Sequence, residues 1–485
     1  MSGTIERAMQ AQQPPTVEKA ASNRNPVIVG LDIGTTKIAA IAGRKNEYGK
    51  LEILGFGRAG SKDSVQHGQV LNIDNAVKAI NEAMASCRQS NPNLSINEVY
   101  VGIAGHHIKS LQTRGDIVRQ SLEDEISQLE VDQLIADQRK TYIPAGDQII
   151  DVIPQEFTVD NFQHIKSPIG YSGVKVGANF HIITGDRHAI RNITKAVNRS
   201  NLSIKDIVLQ PLASADAVMC EHDLEAGVAI LDIGGGTSDL AVFQEGILRH
   251  TAVIPFGGEN ITNDIKTGLS VLRSQAEQMK VQFGSALAQE AKGNAIITIP
   301  GIRGMAPKQV SVKTLAQIIQ ARMSEILDFV VYHLKQVGME NRMLNGGIIL
   351  TGGGSQLKHL LQLTEYQTGL NARIGFPNEH LASGHIAELT KPMYSTCIGL
   401  ILKGYNDYER NLKHFSSGNA EVIMPKEFTR PLTNEEEQIK IEEQARLEQE
   451  MEEKRKRVKK PGIWDRMRAS IIDLFREDNV DEDFK

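Results

Sequence analysis

Cysteine is scarce in this sequence, and tryptophan is almost absent. The 485 residues include three cysteines, Cys87, Cys220 and Cys397, and one tryptophan, Trp464. Three widely separated cysteines suit neither a disulfide framework nor a structural zinc site, whose ligands recur at short spacings. This scarcity indicates a reducing compartment, and we expect the cytoplasm.

Long apolar runs and an excess of positive charge are missing too. No apolar stretch reaches the roughly 18 residues of a membrane span, and no signal-peptide core follows the N-terminus, so we expect neither. The formal net charge of −5 argues against a general nucleic-acid binder. With 40% hydrophobic and 23% charged residues, the chain is a globular protein with a predicted two to four domains.

Glycines form the turn of one predicted β-hairpin, in the stretch 226-AGVAILDIGGGTSDLAVFQEG-246. The apolar run 228–231 predicts a buried strand that ends at Asp232, and residues 240–243 predict the returning strand. Glycines allow a close backbone approach and positive φ, so their N–H groups can surround one phosphate. Asp232 suits a hydrated Mg²⁺, which prefers few carboxylate ligands. An ordinary glycine-rich hairpin is the alternative.

The same hairpin occurs earlier in the chain, because residues 31–34 repeat 231–234 as Leu-Asp-Ile-Gly. A repeat of this kind predicts a duplicated fold whose two lobes each offer a hairpin to one ligand. A third glycine cluster, 351-TGGGSQL-357, follows a predicted strand at 347–350 and precedes a predicted helix at 356–367, whose N-terminus favours anions. The residues predicted to contact nucleotide in these loops are Gly34, Thr35, Thr36, Lys37, Gly234, Gly235, Gly236, Thr237, Gly352, Gly353 and Gly354.

These loops resemble the two phosphate motifs and the adenosine motif of the actin/Hsp70/sugar-kinase superfamily. Within it, the chain is similar to the FtsA family of bacterial cell-division proteins. The matching runs are LDIGTTK (31–37), VIPQEFTVD (152–160), GYSGVKV (170–176), LDIGGGTSDLAV (231–242), IPFGGENIT (254–262), LTGGGSQL (350–357) and KPMYSTCIGL (391–400). Together they extend over most of residues 27–405, so the resemblance does not depend on one motif.

The resemblance implies an α/β, two-lobed actin-like ATPase fold, which is a duplicated RNase H-like fold, with an inserted 1C-type subdomain and a C-terminal amphipathic helix. The predicted parts are a disordered segment (1–25), lobe 1A (26–97 and 185–222), the insert (98–184), lobe 2A (223–284 and 346–408, ending in a crossing helix), subdomain 2B (285–345), a polar and charged linker (409–460), the amphipathic helix (461–478) and an acidic tail (479–485). In this family the insert mediates self-assembly and contacts with other division proteins. A mere decoration of the first lobe is the alternative.

The resemblance also assigns roles in binding ATP. Asp32 and Asp232 would hold Mg²⁺ through water, and Gly257 and Gly258, at the start of a predicted helix, would lie near the γ-phosphate.

Three further side chains have two interpretations each. Glu277 and Lys280 would contact the ribose and base, although their spacing also suits a solvated ion pair on one helix face. Gln210 is a candidate catalytic residue that orients water, and a cap at the end of a strand is the alternative. Glutamine is a poor base, so any ATP hydrolysis should be slow.

The tail has the composition of a membrane anchor. After a polar linker and the basic run 454-KRKRVKK-460, one face of a predicted short helix is apolar and the others are charged. Its apolar residues are Ile463, Trp464, Met467, Ile471, Leu474 and Phe475. Anionic lipid would attract the basic run, although the acidic end of the chain opposes this. Docking on the body or on a partner protein is the alternative, but the resemblance also implies a membrane-targeting helix.

The resemblance implies a protein that polymerises on the cytoplasmic face of the inner membrane at the division septum. It would tether the tubulin-like protein FtsZ and recruit later division proteins. Subdomain 2B would receive the C-terminal tail of FtsZ, and its candidate basic residues are Arg303, Lys308, Lys313 and Arg322. Ordinary surface charge remains the alternative for each.

Other members of the superfamily are the rival interpretations. A sugar kinase needs a catalytic aspartate and a sugar pocket, and no stretch suggests either. An Hsp70-like chaperone needs a β-rich peptide-binding domain after the nucleotide domain. A pilus-assembly actin homologue has a similar insert but no terminal amphipathic helix.

Overall fold

The computed structural model describes residues 25–61, 63–91, 94–119, 124–292, 294–301, 306–339, 343–383 and 387–417. In this part of the chain the strands are β1 (Ile28–Ile33), β2 (Lys37–Lys45), β3 (Leu51–Gly60), β4 (Val65–Gln66), β5 (Gln69–Val70), β6 (Glu98–Ile103), β7 (Lys109–Val118), β8 (Asp147–Val159), β9 (Phe162–Ile165), β10 (Lys175–Asp186), β11 (Ser203–Leu209), β12 (Val228–Ile233), β13 (Ser238–Gln244), β14 (Ile247–Ile254), β15 (Ile296–Ile299), β16 (Lys308–Ser311), β17 (Ile348–Thr351) and β18 (Ala372–Ile374). The helices are α1 (Ile73–Gln89), α2 (Gln128–Gln138), α3 (Arg187–Arg199), α4 (Gln210–Val218), α5 (Glu221–Ala226), α6 (Gly258–Leu269), α7 (Arg273–Phe283), α8 (Val312–Gln336), α9 (Leu360–Thr368) and α10 (Ser395–Ser417).

Two five-stranded sheets repeat one topology. The first has the order β11-β6-β1-β2-β3, and the second, taken from its other edge, has the order β18-β17-β12-β13-β14. In each, a central strand pairs antiparallel with the next strand and parallel with a later one, as β1 does with β2 and β6, and β12 with β13 and β17. The duplication predicted from the repeated Leu-Asp-Ile-Gly run is therefore confirmed.

Helices cover both faces of both sheets because the central strands are apolar on both sides. Helices α1 and α3 bury their apolar faces against one side of the first sheet. Helices α4 and α10 lie between the two sheets, in a core that takes residues from both lobes. Helices α6 to α9 cover the outer side of the second sheet. No helix in the described ranges has the length and apolarity needed to cross a membrane.

The insert is a four-stranded sheet, ordered β7-β10-β8-β9, with α2 packed on it. Two details differ from the prediction. Strand β6 pairs with β1 and β11 in the first sheet, so the insert boundary at 98 is wrong by this strand. Strand β7 was not predicted, because most of its side chains are at least partly exposed and its polar residues hide the period-two signal. The domain boundaries between 185 and 346 remain predictions.

The insert also contacts the second lobe, at the edge strand β14. The side chain of Gln155 donates to the carbonyl oxygen of Leu248 at 2.6 Å, and that of Ser110 to the carbonyl oxygen of Thr251 at 3.5 Å. The imidazole of His181 lies 2.9 Å from the hydroxyl of Thr251. Side chains of the insert therefore occupy backbone acceptors of β14.

Two predicted elements near the C-terminus have different bounds. The predicted helix 356–367 is a 3-10 turn at Gly353–Gln356 followed by α9, and His359 between them is left-handed with φ of 60°. The linker predicted to begin at 409 is still helical as far as Ser417. At the start of this extension the carboxylate of Glu409 pairs with Lys45 at 2.6 Å and fixes that turn of α10 to the first lobe.

Candidate functional site

The two repeated hairpins have the same turn. The N–H of Gly34 donates to the carbonyl of Lys37 at 3.0 Å, and the N–H of Gly234 donates to the carbonyl of Thr237 at 2.9 Å. In each lobe the aspartate lies two residues before the glycine, at the end of a fully buried strand. Asp32 is 7% exposed and Asp232 is 6% exposed. The repeat in sequence is thus a repeat in structure.

The hairpins touch across the two lobes, which explains their small residues. A Cβ on Gly235 would lie 2.6 Å from Cγ2 of Thr36, and one on Gly236 would lie 2.6 Å from Oγ1 of Thr35. Larger side chains in the second hairpin would therefore push the lobes apart. His67, at the tip of the β4–β5 turn, adds a contact from its Nδ1 to the carbonyl oxygen of Gly236 at 3.0 Å.

Asp32 lies among groups from three elements. The side-chain amide of Gln210 donates to Oδ1 of Asp32 at 2.9 Å, and the ammonium of Lys37 lies 3.9 Å from its Oδ2. Burial raises the pKa of Asp32 to about 6, the Lys37 charge opposes this shift, and the Asp232 charge adds to it. Gln210 is therefore placed at a carboxylate predicted to hold metal, and its catalytic role remains a prediction.

Lys37 also contacts the segment that follows the third glycine loop. Its ammonium donates to the carbonyl of Met393 at 2.6 Å and lies 5.1 Å from the ring centroid of Tyr394. Lys37 therefore joins the first hairpin to the beginning of α10.

Asp232 is held by two hydroxyl groups that the sequence did not suggest. Ser214 on α4 donates to Oδ2 at 2.5 Å, and Thr396 on α10 donates to the same oxygen at 3.2 Å. Burial raises the pKa of Asp232, while these two hydrogen bonds and the Lys37 charge oppose the rise.

Asp239 is a third buried acid, and no motif in the sequence predicts a role for it. It is the register partner of Asp232 across the hairpin and is 2% exposed. Its Oδ2 accepts a hydrogen bond from Thr237 at 3.1 Å, and its Oδ1 has no partner. Burial raises the pKa of Asp239 to about 8, with contributions from the Asp232 and Asp32 charges. The sequence signal that could have identified Asp239 was an acidic residue in an otherwise apolar strand.

The donor set suits a cation held through water. Burial raises the pKa of Asp32, Asp232 and Asp239, and neighbouring carboxylates add to the rise at Asp32 and Asp239, so positive charge here would be favourable. Among the described residues, no group of three or more His, Cys, Asp or Glu side chains is arranged to ligate a metal directly. Mg²⁺ keeps most of its water ligands, so two carboxylates at the ends of facing hairpins are compatible with it.

Helix α6 begins against the second hairpin. The N–H groups of Gly258 and Glu259 donate to the carbonyls of Gly234 and Gly235 at 3.0 and 2.7 Å. The ammonium of Lys280 donates to the carbonyl of Gly258 at 2.8 Å.

Lys280 has further partners on both helices of this region. Its ammonium donates to Oγ1 of Thr262 at 2.8 Å and pairs with Glu277 at 2.8 Å. The predicted ion pair therefore forms and connects α7 to the glycine pair, while its contact with nucleotide remains a prediction.

The third glycine loop lies against the second hairpin. Gly352 has φ of 80°, and a Cβ there would lie 2.2 Å from Oδ1 of Asp232. A Cβ on Gly354 would lie 2.3 Å from Cγ2 of Ile233, whereas Gly353 has nothing within 4 Å. The structure thus brings all three predicted loops together around Asp232.

The candidate FtsZ-binding residues have different surroundings. Lys308 and Lys313 are exposed. Arg322 makes a bidentate pair with Asp264, at 2.7 and 3.2 Å, and stacks over the ring of Phe256 at 4.9 Å. Its guanidinium thus already has partners within the chain.

Some predicted residues lie outside the described ranges. They are Arg303 and the six apolar residues of the predicted membrane helix, Ile463, Trp464, Met467, Ile471, Leu474 and Phe475.

Known proteins resemble this chain over most of its length. A family model described as cell division protein FtsA matches residues 229–399, and one described as the SHS2 domain inserted in FtsA matches residues 105–184. Cell division protein FtsA of Pseudomonas aeruginosa is 34% identical over 401 residues, which are 83% of this chain and 94% of that protein. Cell division protein FtsA of Neisseria meningitidis is 38% identical over 371 residues, which are 76% and 88% of the two chains.

A solved structure shares the fold. A chain of the PilM-PilN type IV pilus biogenesis complex matches with a TM-score of 0.57 and 15% identity, over 78% of this chain and 98% of that chain. At this identity the likeness concerns the fold alone. The predicted two-lobed actin-like α/β class with an inserted domain is confirmed, and its C-terminal helix lies outside the described residues. The identity to the two bacterial proteins extends over nearly their whole length, and the chain belongs to the FtsA family of cell division proteins.

Proposed function

We propose that this cell division protein binds ATP with Mg²⁺ between its lobes, at the junction of the two repeated hairpins. The observation that carries this is the convergence of three glycine loops on buried carboxylates from both lobes. A Cβ on Gly352 or on Gly235 would collide with Asp232 or with Thr36, so only glycines let the three loops approach one another this closely. Asp32 and Asp232 would hold the water ligands of the metal.

Each group at the site then has a definite task. When bound, Mg²⁺ would supply positive charge beside the phosphates, and Asp32 and Asp232 would hold its water ligands. Gln210, fixed by its hydrogen bond to Asp32, orients a water molecule without abstracting its proton. Because glutamine is no base, turnover is slow, and binding rather than hydrolysis is the main use of ATP.

Family membership supports the rest of the proposal. The chain polymerises on the cytoplasmic face of the inner membrane at the septum, and the 461–478 helix binds the bilayer. Subdomain 2B receives the acidic C-terminal tail of FtsZ, where Lys313 is exposed and Lys308 is exposed with its ammonium donating to the carbonyl of Leu269. The insert contacts neighbouring copies and other division proteins.

The nucleotide site is tested by the substitution Asp232→Asn. It removes one carboxylate but keeps an acceptor for Ser214 and Thr396. ATP affinity, followed with a fluorescent analogue, should fall by about 10- to 100-fold in Mg²⁺. In EDTA the difference from wild type should vanish. Asp137→Asn, on the exposed surface of α2, is the matched control. An unchanged affinity in Mg²⁺ would refute the site.

The membrane anchor is tested by co-sedimentation with anionic vesicles. The full chain should pellet, whereas Trp464→Glu should remain in the supernatant because a charge on the apolar face opposes burial in the bilayer. If both proteins stay in the supernatant, the helix does not anchor the chain.

A further inference from the structure

Helix α3 presents a solvent face whose charged side chains are all basic. Arg187, Arg191, Lys195 and Arg199 recur at every fourth residue and are exposed, and the 13 residues of the helix contain no Asp or Glu. We call these four residues the basic stripe. The opposite face is apolar and packs in the core of the first lobe, through Ala189, Ile190, Ile193, Ala196 and Val197. Packing therefore explains one face of the helix and leaves the charge of the other unexplained.

Little of this charge is neutralised inside the molecule. Arg199 pairs with Asp74 at 2.7 Å, and Arg187 donates to the carbonyl oxygen of Asp147 at 3.4 Å. Arg191 and Lys195 form no ion pair within the described ranges. Like charges four residues apart repel one another along a helix, so the stripe is suited to an external anion.

A cationic groove continues the stripe beyond the first turn of α3. This open groove, of about 290 Å³, is lined by Arg139 and Arg187 together with the polar side chains of Thr141 and Gln148. Asp147 also lines it and pairs with Lys109 at 3.0 Å, while Arg139 lies 3.9 Å from the carboxylate of Asp151. The basic surface is therefore longer than the helix itself.

The stripe ends at the end of the first sheet that Tyr405 of α10 contacts. After α3, the N–H of Ser203 donates to the carbonyl of Asn97 at 2.8 Å, which places the end of α3 where β6 and β11 begin. On α10, the hydroxyl of Tyr405 donates to the carbonyl of Pro26, just before β1. Strands β1, β6 and β11 are parallel, so the end of α3 and Tyr405 of α10 lie at the same end of the sheet.

We propose that the basic stripe is a second membrane contact, which lies against the headgroups of anionic phospholipids. The proposal rests on the membrane association argued above. Four cations recur about every 6 Å along about 18 Å of helix and turn by about 40° from one to the next, so their long side chains can reach several phosphates and not only one small anion. Arginine also pairs with phosphate through two parallel N–H groups. The stripe orients the first lobe on the bilayer, whereas residues 461–478 hold it there.

The test uses the full chain with the double substitution Arg191→Gln and Lys195→Gln. Neither side chain has an ion-pair partner within the described ranges, so the fold should be retained. The control variant combines Lys266→Gln and Lys335→Gln, which remove the same amount of positive charge from exposed positions of the second lobe. Affinity is measured by co-sedimentation with vesicles of phosphatidylethanolamine and phosphatidylglycerol, and with vesicles of phosphatidylcholine alone.

The double stripe variant should bind the anionic vesicles about 25-fold more weakly than the wild type, because each lost charge weakens binding by about 5-fold. The control variant should change less than about 2-fold, and high salt should reduce the difference because it screens exposed charges. If thermal unfolding shows that the double variant is destabilised, the two single variants are compared instead. The proposal is overturned if the stripe and control variants bind anionic vesicles with equal affinity. It is also overturned if the stripe variant loses as much affinity for neutral vesicles as for anionic ones.

The Trp464→Glu variant separates this proposal from the anchor. If Trp464→Glu abolishes binding while the stripe variant binds as wild type does, the helix anchors the chain and the stripe has no part. If binding that depends on the stripe persists in the Trp464→Glu background, the stripe is supported and the helix anchor is refuted.

Discussion

Replacing Asp239 with asparagine should change how folding stability depends on pH. The Asp239 carboxyl is 2% exposed, lies opposite Asp232 in the hairpin, and has one oxygen without a partner. Burial, together with the charges of Asp232 and Asp32, raises its pKa from 3.8 to about 8. The folded protein therefore keeps a proton on Asp239 at neutral pH, whereas the unfolded chain releases it.

The sign and size follow from this difference. Between the unfolded pKa of 3.8 and the folded pKa of about 8, the folded state binds one more proton, so stability falls as pH rises. The slope is about 1.4 kcal/mol per pH unit, which amounts to about 2 kcal/mol between about pH 6 and about pH 8. Asp239→Asn cannot titrate and therefore lacks this loss. Its amide changes the hydrogen bonding by an amount that does not vary with pH.

The measurement is urea unfolding without nucleotide or Mg²⁺ at several pH values. The stability of Asp239→Asn minus that of wild type should rise by about 2 kcal/mol over this interval. Asp137→Asn, which makes the same chemical change on the surface of α2, is the matched control. Parallel pH profiles for Asp239→Asn and wild type would show that Asp239 does not carry a raised pKa.

Three further substitutions follow from other contacts. Gly399→Ala should destabilise the protein by about 3 kcal/mol in thermal unfolding, because its Cβ would lie 1.7 Å from the carbonyl oxygen of Ala213. Gly60→Ala is the control and should leave stability unchanged, because a Cβ there would meet nothing within 4 Å. Arg322→Ala should cost about 2 kcal/mol in urea unfolding, because it breaks the bidentate pair with Asp264, and an unchanged midpoint would contradict this. Gln210→Ala should slow phosphate release from ATP by about 10- to 100-fold with little change in ATP affinity, and an unchanged rate would exclude the proposed role.

The sequence predicted the architecture well where a signal was repeated. The Leu-Asp-Ile-Gly run at 31–34 and again at 231–234 was enough to predict two hairpins, a duplicated fold and a junction between two lobes. The paired aspartates, Asp32 and Asp232, followed from the same repeat. The third glycine loop was predicted to join them, and Gly352 does lie against Asp232.

The partners of these groups were not predictable in the same way. Ser214 and Thr396 reach Asp232 from helices distant in sequence, and only the packing of α4 against α10 brings them together. Asp239 becomes the neighbour of Asp232 through strand register, which a single sequence does not fix. Strand β6 was assigned to the insert because its apolar run does not reveal which sheet it joins.

The contact between the insert and β14 also bears on solubility. β14 is the last strand of its sheet, and such a strand offers unpaired backbone groups to any passing extended chain. Gln155 and Ser110 occupy carbonyls along it, so strand addition from another molecule is blocked there. A chain from which the insert were deleted would expose this edge, and we expect it to aggregate during expression even though both lobes keep their own cores.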